Sequence, residues 1–173
     1  GLKAHGIARK PRKEDPDFVA VHGNDDLYEQ LGHADFVVIA APLTPQTEGL
    51  FDEKAFKAMK KSARLINIGR GPIVKTNDLI TALKNGEIAG AGLDVFAEEP
   101  PPLDHPLLKF DNVIVSPHIA GVTDDCTYKM ASWAAEQWLT IFRGACPPRL
   151  VNPDVWPAYR ERFGRVTGET AED

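Results

Sequence analysis

The sequence predicts an α/β fold with a doubly wound parallel sheet, and three observations carry that prediction. Apolar, strand-like runs alternate with helix-like segments of about ten residues. The run "DFVVIAA" (Asp35–Ala41) is continuously apolar and stops at Pro42, as in a strand buried on both faces. Several runs end in glycine, proline or charged residues, at the strand ends where parallel sheets place their ligands.

The elements follow in order. Leu2–Ala8 is a short strand cut off by Lys10-Pro11, and Phe18–Val21 a second that ends at Gly23. Asn24–Gly32 reads as a helix with Asn24 or Asp25 as its N-cap. Asp52–Lys60 is a short amphipathic helix with Phe56 and Met59 inward, and "ARLINI" is the next strand. Thr76–Asn85 is a helix capped by Thr76 and stopped by Gly86. Ile88–Phe96 and Asn112–Pro117 are the last strands. Thr123–Gly144 is a long helix with Met130, Ala134, Trp138 and Ile141 or Phe142 along one face. From Cys146 onward the chain is proline-rich and then charged, with Trp156, Tyr159 and Phe163 available to dock elsewhere.

Bulk properties narrow the function. At 173 residues the chain is one domain, or one domain plus a tail. A net charge of −5 argues against a nucleic-acid partner, because phosphate binding wants a basic face. No apolar run approaches the roughly 18 residues of a membrane span. The first residues, "GLKAHGIARKPRKED", lack the apolar stretch and cleavage site of a secretion signal. Cys126 and Cys146 have neither disulfide-framework nor zinc-ligand spacing. A cytoplasmic protein without metal is the expectation.

Polar groups interrupt the apolar runs at three strand ends. Arg70, in "LINIGRG", has a planar fork that suits a carboxylate, and the flanking Gly69 and Gly71 let a ligand approach the backbone. Taken alone, it could equally be a surface arginine pairing with a nearby acid. His118, after "NVIVSP", offers acid–base chemistry or a structural imidazole. Glu98 and Glu99 are either partners for an imidazole or a solvated acidic turn. Asp94 lies within an apolar run and needs a partner, whether a cofactor amide or backbone N–H groups at the strand end.

The stretches Ala34–Leu83, "GEIAGAGLDVFAEEPPP" and "DNVIVSPHIAG" resemble the D-isomer-specific 2-hydroxyacid dehydrogenases, almost continuously from Ala34 to Gly121. The motifs are closest to those of glyoxylate/hydroxypyruvate reductases. The resemblance implies a Rossmann-like fold and a catalytic trio of Arg70, Glu99 and His118. It implies hydride transfer between a nicotinamide and C2 of a small D-2-hydroxy or 2-oxo acid. Arg70 would hold the substrate carboxylate, His118 would exchange a proton with the C2 oxygen, and Glu99 would hydrogen-bond His118. Asp94 would bind the nicotinamide carboxamide; Ile68, Gly69, the Arg70 backbone, His118, Ala120 and Gly121 would line the ring. Ala41, Pro42 and Thr47 would pass beneath the ribose and pyrophosphate.

The family often has Asp at the end of its second strand, to bind the adenosine ribose. Here Ala8 takes that place and Arg9, Lys10 and Arg12 follow, so NADP(H) is favoured and NAD(H) possible. No G-x-G-x-x-G turn is present. The chain therefore reads as the C-terminal part of a longer enzyme. Residues 1–145 would be a partial dinucleotide-binding domain lacking its first strand, and residues 146–173 a tail that packs on a missing substrate domain. Family membership also implies a homodimer. The rival readings are a nucleotide-sensing corepressor-like relative, a formate dehydrogenase, which Glu99 argues against, and an inactive fragment.

Overall fold

A computed structural model describes residues 1–168 of the chain. They form two compact units, one of Gly1–Ala120 and one of residues from 121 onward.

In the first unit, β1 (His5–Ile7) and β2 (Ala20–His22) form a parallel pair. β3 (Phe36–Ile39), β4 (Arg64–Asn67), β5 (Gly90–Leu93) and β6 (Val113–Val115) form a second parallel sheet in that order. α1 (Leu27–His33), α2 (Glu53–Ala58) and α3 (Thr76–Lys84) connect them. The parallel α/β reading is thus realised, but the sheet is in two pieces, with β1 and β3 unpaired on one edge each.

The strands are shorter than their apolar runs. Ile88 and Phe96 flank β5, and Ile68 lies past β4. Apolar residues outside the ladders still serve the core: Ile88 and Val95 are buried. Gly90 shows how tightly β5 meets its neighbour, since a Cβ there would lie 2.4 Å from the Asn112 carbonyl oxygen.

α2 is capped by Asp52, whose carboxylate accepts from the Lys54 and Ala55 N–H groups. α3 departs from expectation: its N-cap is Lys75, and Thr76 is already helical. Asp78 accepts from the N–H of Glu53 at 3.0 Å, tying α3 to the first turn of α2. Gly86 ends α3 at φ +65°, the left-handed conformation that glycine adopts without strain.

Alternation of side chains gives the larger sheet two unlike faces. Phe56, Met59, Leu65, Ile73, Leu79, Leu83 and Leu93 belong to one buried cluster with the three helices. On the opposite face, ladder pairing aligns Val38, Ile66, Gly92 and Ile114 in one row. Phe36, Val38 and Ile114 are exposed there, at 52%, 54% and 78%.

The second unit holds α4 (Asp124–Phe142) and α5 (Trp156–Thr167). Thr123 caps α4 by accepting from the Cys126 N–H. No residue of α4 is buried; Met130, Trp138 and Phe142 of the anticipated apolar stripe are exposed. α5 was not anticipated in the proline-rich tail. Trp156, Tyr159 and Phe163 form an aromatic stripe along it, and the Tyr159 hydroxyl donates to the Ile141 carbonyl at 2.6 Å. The last five residues of the tail, 169–173, lie outside the described residues.

Burial separates the two faces energetically. Phe56→Ala is expected to cost about 3–5 kcal/mol in urea unfolding. Phe36→Ala, on the open face, should change stability by less than about 0.5 kcal/mol. Equal losses would show that the open face is covered in solution.

Candidate active site

The C-terminal ends of β3 to β6 bring the sequence candidates to one edge. At β3, the Thr47 hydroxyl donates to the Pro42 carbonyl at 2.7 Å and accepts from the Thr44 N–H at 2.8 Å. It thereby folds the Ala41–Thr47 loop on itself.

At β4 the chain turns at Gly69-Arg70-Gly71. Both glycines are sterically required. A Cβ on Gly69 would lie 2.8 Å from the Ala41 carbonyl oxygen, and one on Gly71 would lie 1.9 Å from the Phe96 carbonyl carbon. The glycines therefore answer to neighbouring backbone, whereas the sequence suggested ligand access as their reason. Arg70 is exposed, and one of its terminal nitrogens donates to the Gly69 carbonyl at 2.7 Å. Ile68 beside it is an apolar side chain 43% exposed at the strand end.

At β5 and β6, Glu99 and His118 meet. One Glu99 oxygen accepts from the Phe96 N–H at 2.9 Å, and the other lies 2.8 Å from His118 Nδ1. An ionised carboxylate only accepts, so Nδ1 carries the proton of that bond and Nε2 is left for chemistry. The bond from His118, the bond from Phe96, and the charges of His118 and Arg70 hold the Glu99 carboxyl below its ordinary range. Glu98 takes no part in the pair, in keeping with the choice of Glu99 from the motif.

His118 has φ +56°, the left-handed region that a non-glycine residue rarely occupies. Asp94 holds it there. Its carbonyl accepts from the His118 N–H at 2.9 Å. Its carboxylate accepts from Ser116 Oγ at 2.6 Å, and from the Ile119 and Ala120 N–H groups, both at 2.9 Å. Burial opposes ionisation of Asp94, but these hydrogen bonds outweigh it and keep the carboxyl below the usual range. Of the partners left open in the sequence, backbone N–H groups are the ones engaged. Ser116 and Asn67, which holds the Arg70 turn, were not singled out in the sequence. The signal for Asn67 was a lone amide ending an apolar strand.

At the end of β1, Arg12 pairs with Asp15 through two bonds of 2.9 and 3.1 Å. Arg9 and Lys10 are exposed and make no ion pair among the described residues. A Cβ added at Gly121 would meet nothing within 4 Å beyond its chain neighbours. Among the described residues, no cluster of three metal-ligating side chains exists, and no helix is long and apolar enough to cross a membrane.

Ile68, the Arg70 fork and the loop held by Asp94 are the residues that could hold the nicotinamide end of a dinucleotide. The glycine-rich turn that would cradle its pyrophosphate has no counterpart in this sequence.

Comparison with known proteins identifies the family and the fold. Residues 1–120 match the family model described as "D-isomer specific 2-hydroxyacid dehydrogenase, NAD binding domain". A glyoxylate reductase of Thermofilum pendens is 49% identical over 130 residues, 75% of this chain and 38% of the relative. The NAD-complexed D-isomer specific 2-hydroxyacid dehydrogenase of Lactobacillus delbrueckii ssp. bulgaricus superimposes with a TM-score of 0.76 at 37% identity, covering 88% of this chain and 49% of that one. An NADPH-dependent glyoxylate/hydroxypyruvate reductase from Sinorhizobium meliloti, in complex with NADP and malonate, gives a TM-score of 0.71 at 31% identity, covering 82% and 43%. The chain spans about two fifths of the length of the curated relatives it matches. The chain belongs to the D-isomer specific 2-hydroxyacid dehydrogenase family, and its first 120 residues are of the family's NAD-binding type.

Proposed function

We propose that this chain is the cofactor-side part of an NAD(P)-dependent oxidoreductase that interconverts a small 2-oxo acid and its D-2-hydroxy acid, with glyoxylate or hydroxypyruvate as first substrates. The observation that carries this reading is the 2.8 Å pair of His118 and Glu99 at the strand edge that also presents Arg70. When bound, the nicotinamide supplies or accepts the hydride. Arg70 grips the substrate carboxylate and polarises the adjacent carbonyl. His118, with Nδ1 pinned, gives a proton from Nε2 to the C2 oxygen in reduction and takes it back in oxidation. Glu99 keeps the ring in that orientation. The names of the similar reductases support the substrate class.

NADP(H) is the preferred cofactor in this reading. Ala8 offers no carboxylate to repel a 2′-phosphate, and Arg9 and Lys10 stand ready beside it. Arg12 contributes less, because Asp15 already occupies its fork. Residues 1–145 act as the partial dinucleotide-binding domain, and residues 146–173 pack on a substrate domain. A homodimer is part of the same proposal, supported by the exposed Trp133, Trp138, Leu139 and Phe142 on α4. The site is cytoplasmic in this reading. The chain alone should bind cofactor weakly, since the pyrophosphate turn is not among its residues.

Activity is tested by fusing to Gly1 the segment that precedes the matched region in the Thermofilum pendens glyoxylate reductase. The chimera is expected to oxidise NADPH in the presence of glyoxylate, with a higher kcat/KM than for NADH; the reverse preference would refute NADP(H). His118→Gln should lower kcat by about 10²–10⁴ with cofactor affinity nearly intact. Near-normal turnover in that variant would sink the assignment.

Carbon-detected titration of the chain itself tests the pair. The Glu99 carboxyl should titrate below the ordinary value of 4.5 and move upward in His118→Gln. Because the folded value is depressed, the pair's contribution to stability is present above the ordinary range and is lost as pH falls through the folded value. An unshifted Glu99 would show that the pair does not form in solution.

A further inference from the structure

We propose that Asn67 is a positioning residue that fixes the backbone from which Arg70 projects, and so sets where the substrate carboxylate is held. The proposal rests on the reading of Arg70 as the carboxylate grip. Asn67 is the last residue of β4 and only 1% exposed; among the described residues, the buried ones with polar side chains are Asn67 and Asp94. Its backbone is anchored by the ladder to Ile39 and Leu93, and its carbonyl accepts from the Asp94 N–H at 3.0 Å.

From that fixed root the side chain reaches forward. Asn67 Oδ1 accepts from the Gly69 N–H at 3.0 Å, and Nδ2 donates to the Arg70 carbonyl at 3.1 Å. The two bonds bracket the backbone from the nitrogen of Gly69 to the carbonyl of Arg70. Steric walls complete the clamp. The Ala41 carbonyl closes against Gly69, and the Phe96–Ala97 peptide lies against Gly71. Arg70 projects from this clamped backbone, with its guanidinium folded back onto the Gly69 carbonyl.

An amide at a buried strand end costs desolvation unless both its ends are used. A leucine of similar size would suit the surrounding apolar core, with Leu65 and Leu93 in adjoining ladder positions. The polar choice at position 67 is explained by the turn, because the Asn67 side chain bonds to residues 69 and 70.

The same clamp links the two halves of the site. Phe96, whose carbonyl packs on Gly71, donates its N–H to Glu99, which holds His118. A shift of the Arg70 turn would therefore press on the peptide that orients the acid–base pair.

The test uses this chain, nitrogen-labelled, as wild type, Asn67→Leu and Asn67→Ala; the alanine variant covers the case in which leucine does not fold. Amide exchange of Gly69 is read by NMR. Oxalate, a stand-in for the substrate carboxylate, is titrated while the Arg70 Nε–H signal is followed, with Arg64 as control. Loss of the bonds should speed Gly69 exchange by about fivefold or more and weaken oxalate by a similar factor, in protein that remains folded. In the chimera, the same variants should raise KM for glyoxylate more than they lower kcat. Unchanged Gly69 exchange in a folded variant overturns the proposal. So does unchanged oxalate affinity beside a loosened turn, which would mark Asn67 as merely structural. If oxalate leaves the wild-type Arg70 signal unmoved while Gly69 exchange responds, the carboxylate-grip reading fails and the clamp stands.

Discussion

One buried carboxylate organises the reactive edge of this protein. Asp94 ends the most enclosed strand of the larger sheet, where an unpaired charge would be costly. Its oxygens are satisfied by Ser116, Ile119 and Ala120, all from the loop that follows β6. The cost of burying the charge is thereby turned into a fixed loop shape. That shape includes the left-handed backbone of His118, a conformation that costs on the order of 1–3 kcal/mol and persists only where surroundings over-determine it. Glu99, itself tied to the Phe96 N–H, then receives the imidazole at a set angle. Strain, pairing and proton placement all trace back to Asp94.

Much of this was legible before any coordinates. The order of apolar runs announced the parallel α/β fold, local reading put Arg70, the Glu98–Glu99 pair and His118 after successive apolar runs, and the family resemblance singled out Glu99. What escaped was set by contacts between residues far apart in sequence. Ser116 bonds Asp94 across 22 positions and has no periodic signature. Asn67 acts within its own turn, but its burial depends on strands at residues 36–39 and 90–93. α5 went unread in a tail that registered only as proline-rich and then charged, although Pro157 sits in its first turn, where the missing N–H costs nothing. Thr76 looked like a cap because its residue type suits one, yet the chain enters α3 a residue earlier.

The sheet also shows how the edge is supported from one side only. Helices and their buried cluster back the face that carries Leu65, Asn67 and Leu93. The row through Val38, Ile66 and Ile114 faces the other way without cover in the first unit, whereas parallel sheets are ordinarily covered on both faces. Yet the hydrogen bonds of the Asp94 loop, the Asn67 clamp and the Glu99–His118 pair all run between residues 67–120. The geometry of Arg70, Glu99 and His118 is thus set by hydrogen bonds within this stretch.

The most direct test of Asp94's role is the tautomer of His118, read from imidazole nitrogen spectra of the wild type and of Asp94→Asn. In the wild type the Nδ1–H form should dominate, because Glu99 accepts that proton. The amide keeps one accepting oxygen and, in either orientation, sets its NH2 against one of the two backbone N–H groups that the carboxylate had gathered, so the loop should loosen and both tautomers should appear. A single Nδ1–H tautomer that survives in folded Asp94→Asn would contradict the claim that this carboxylate sets the geometry of the His118–Glu99 pair.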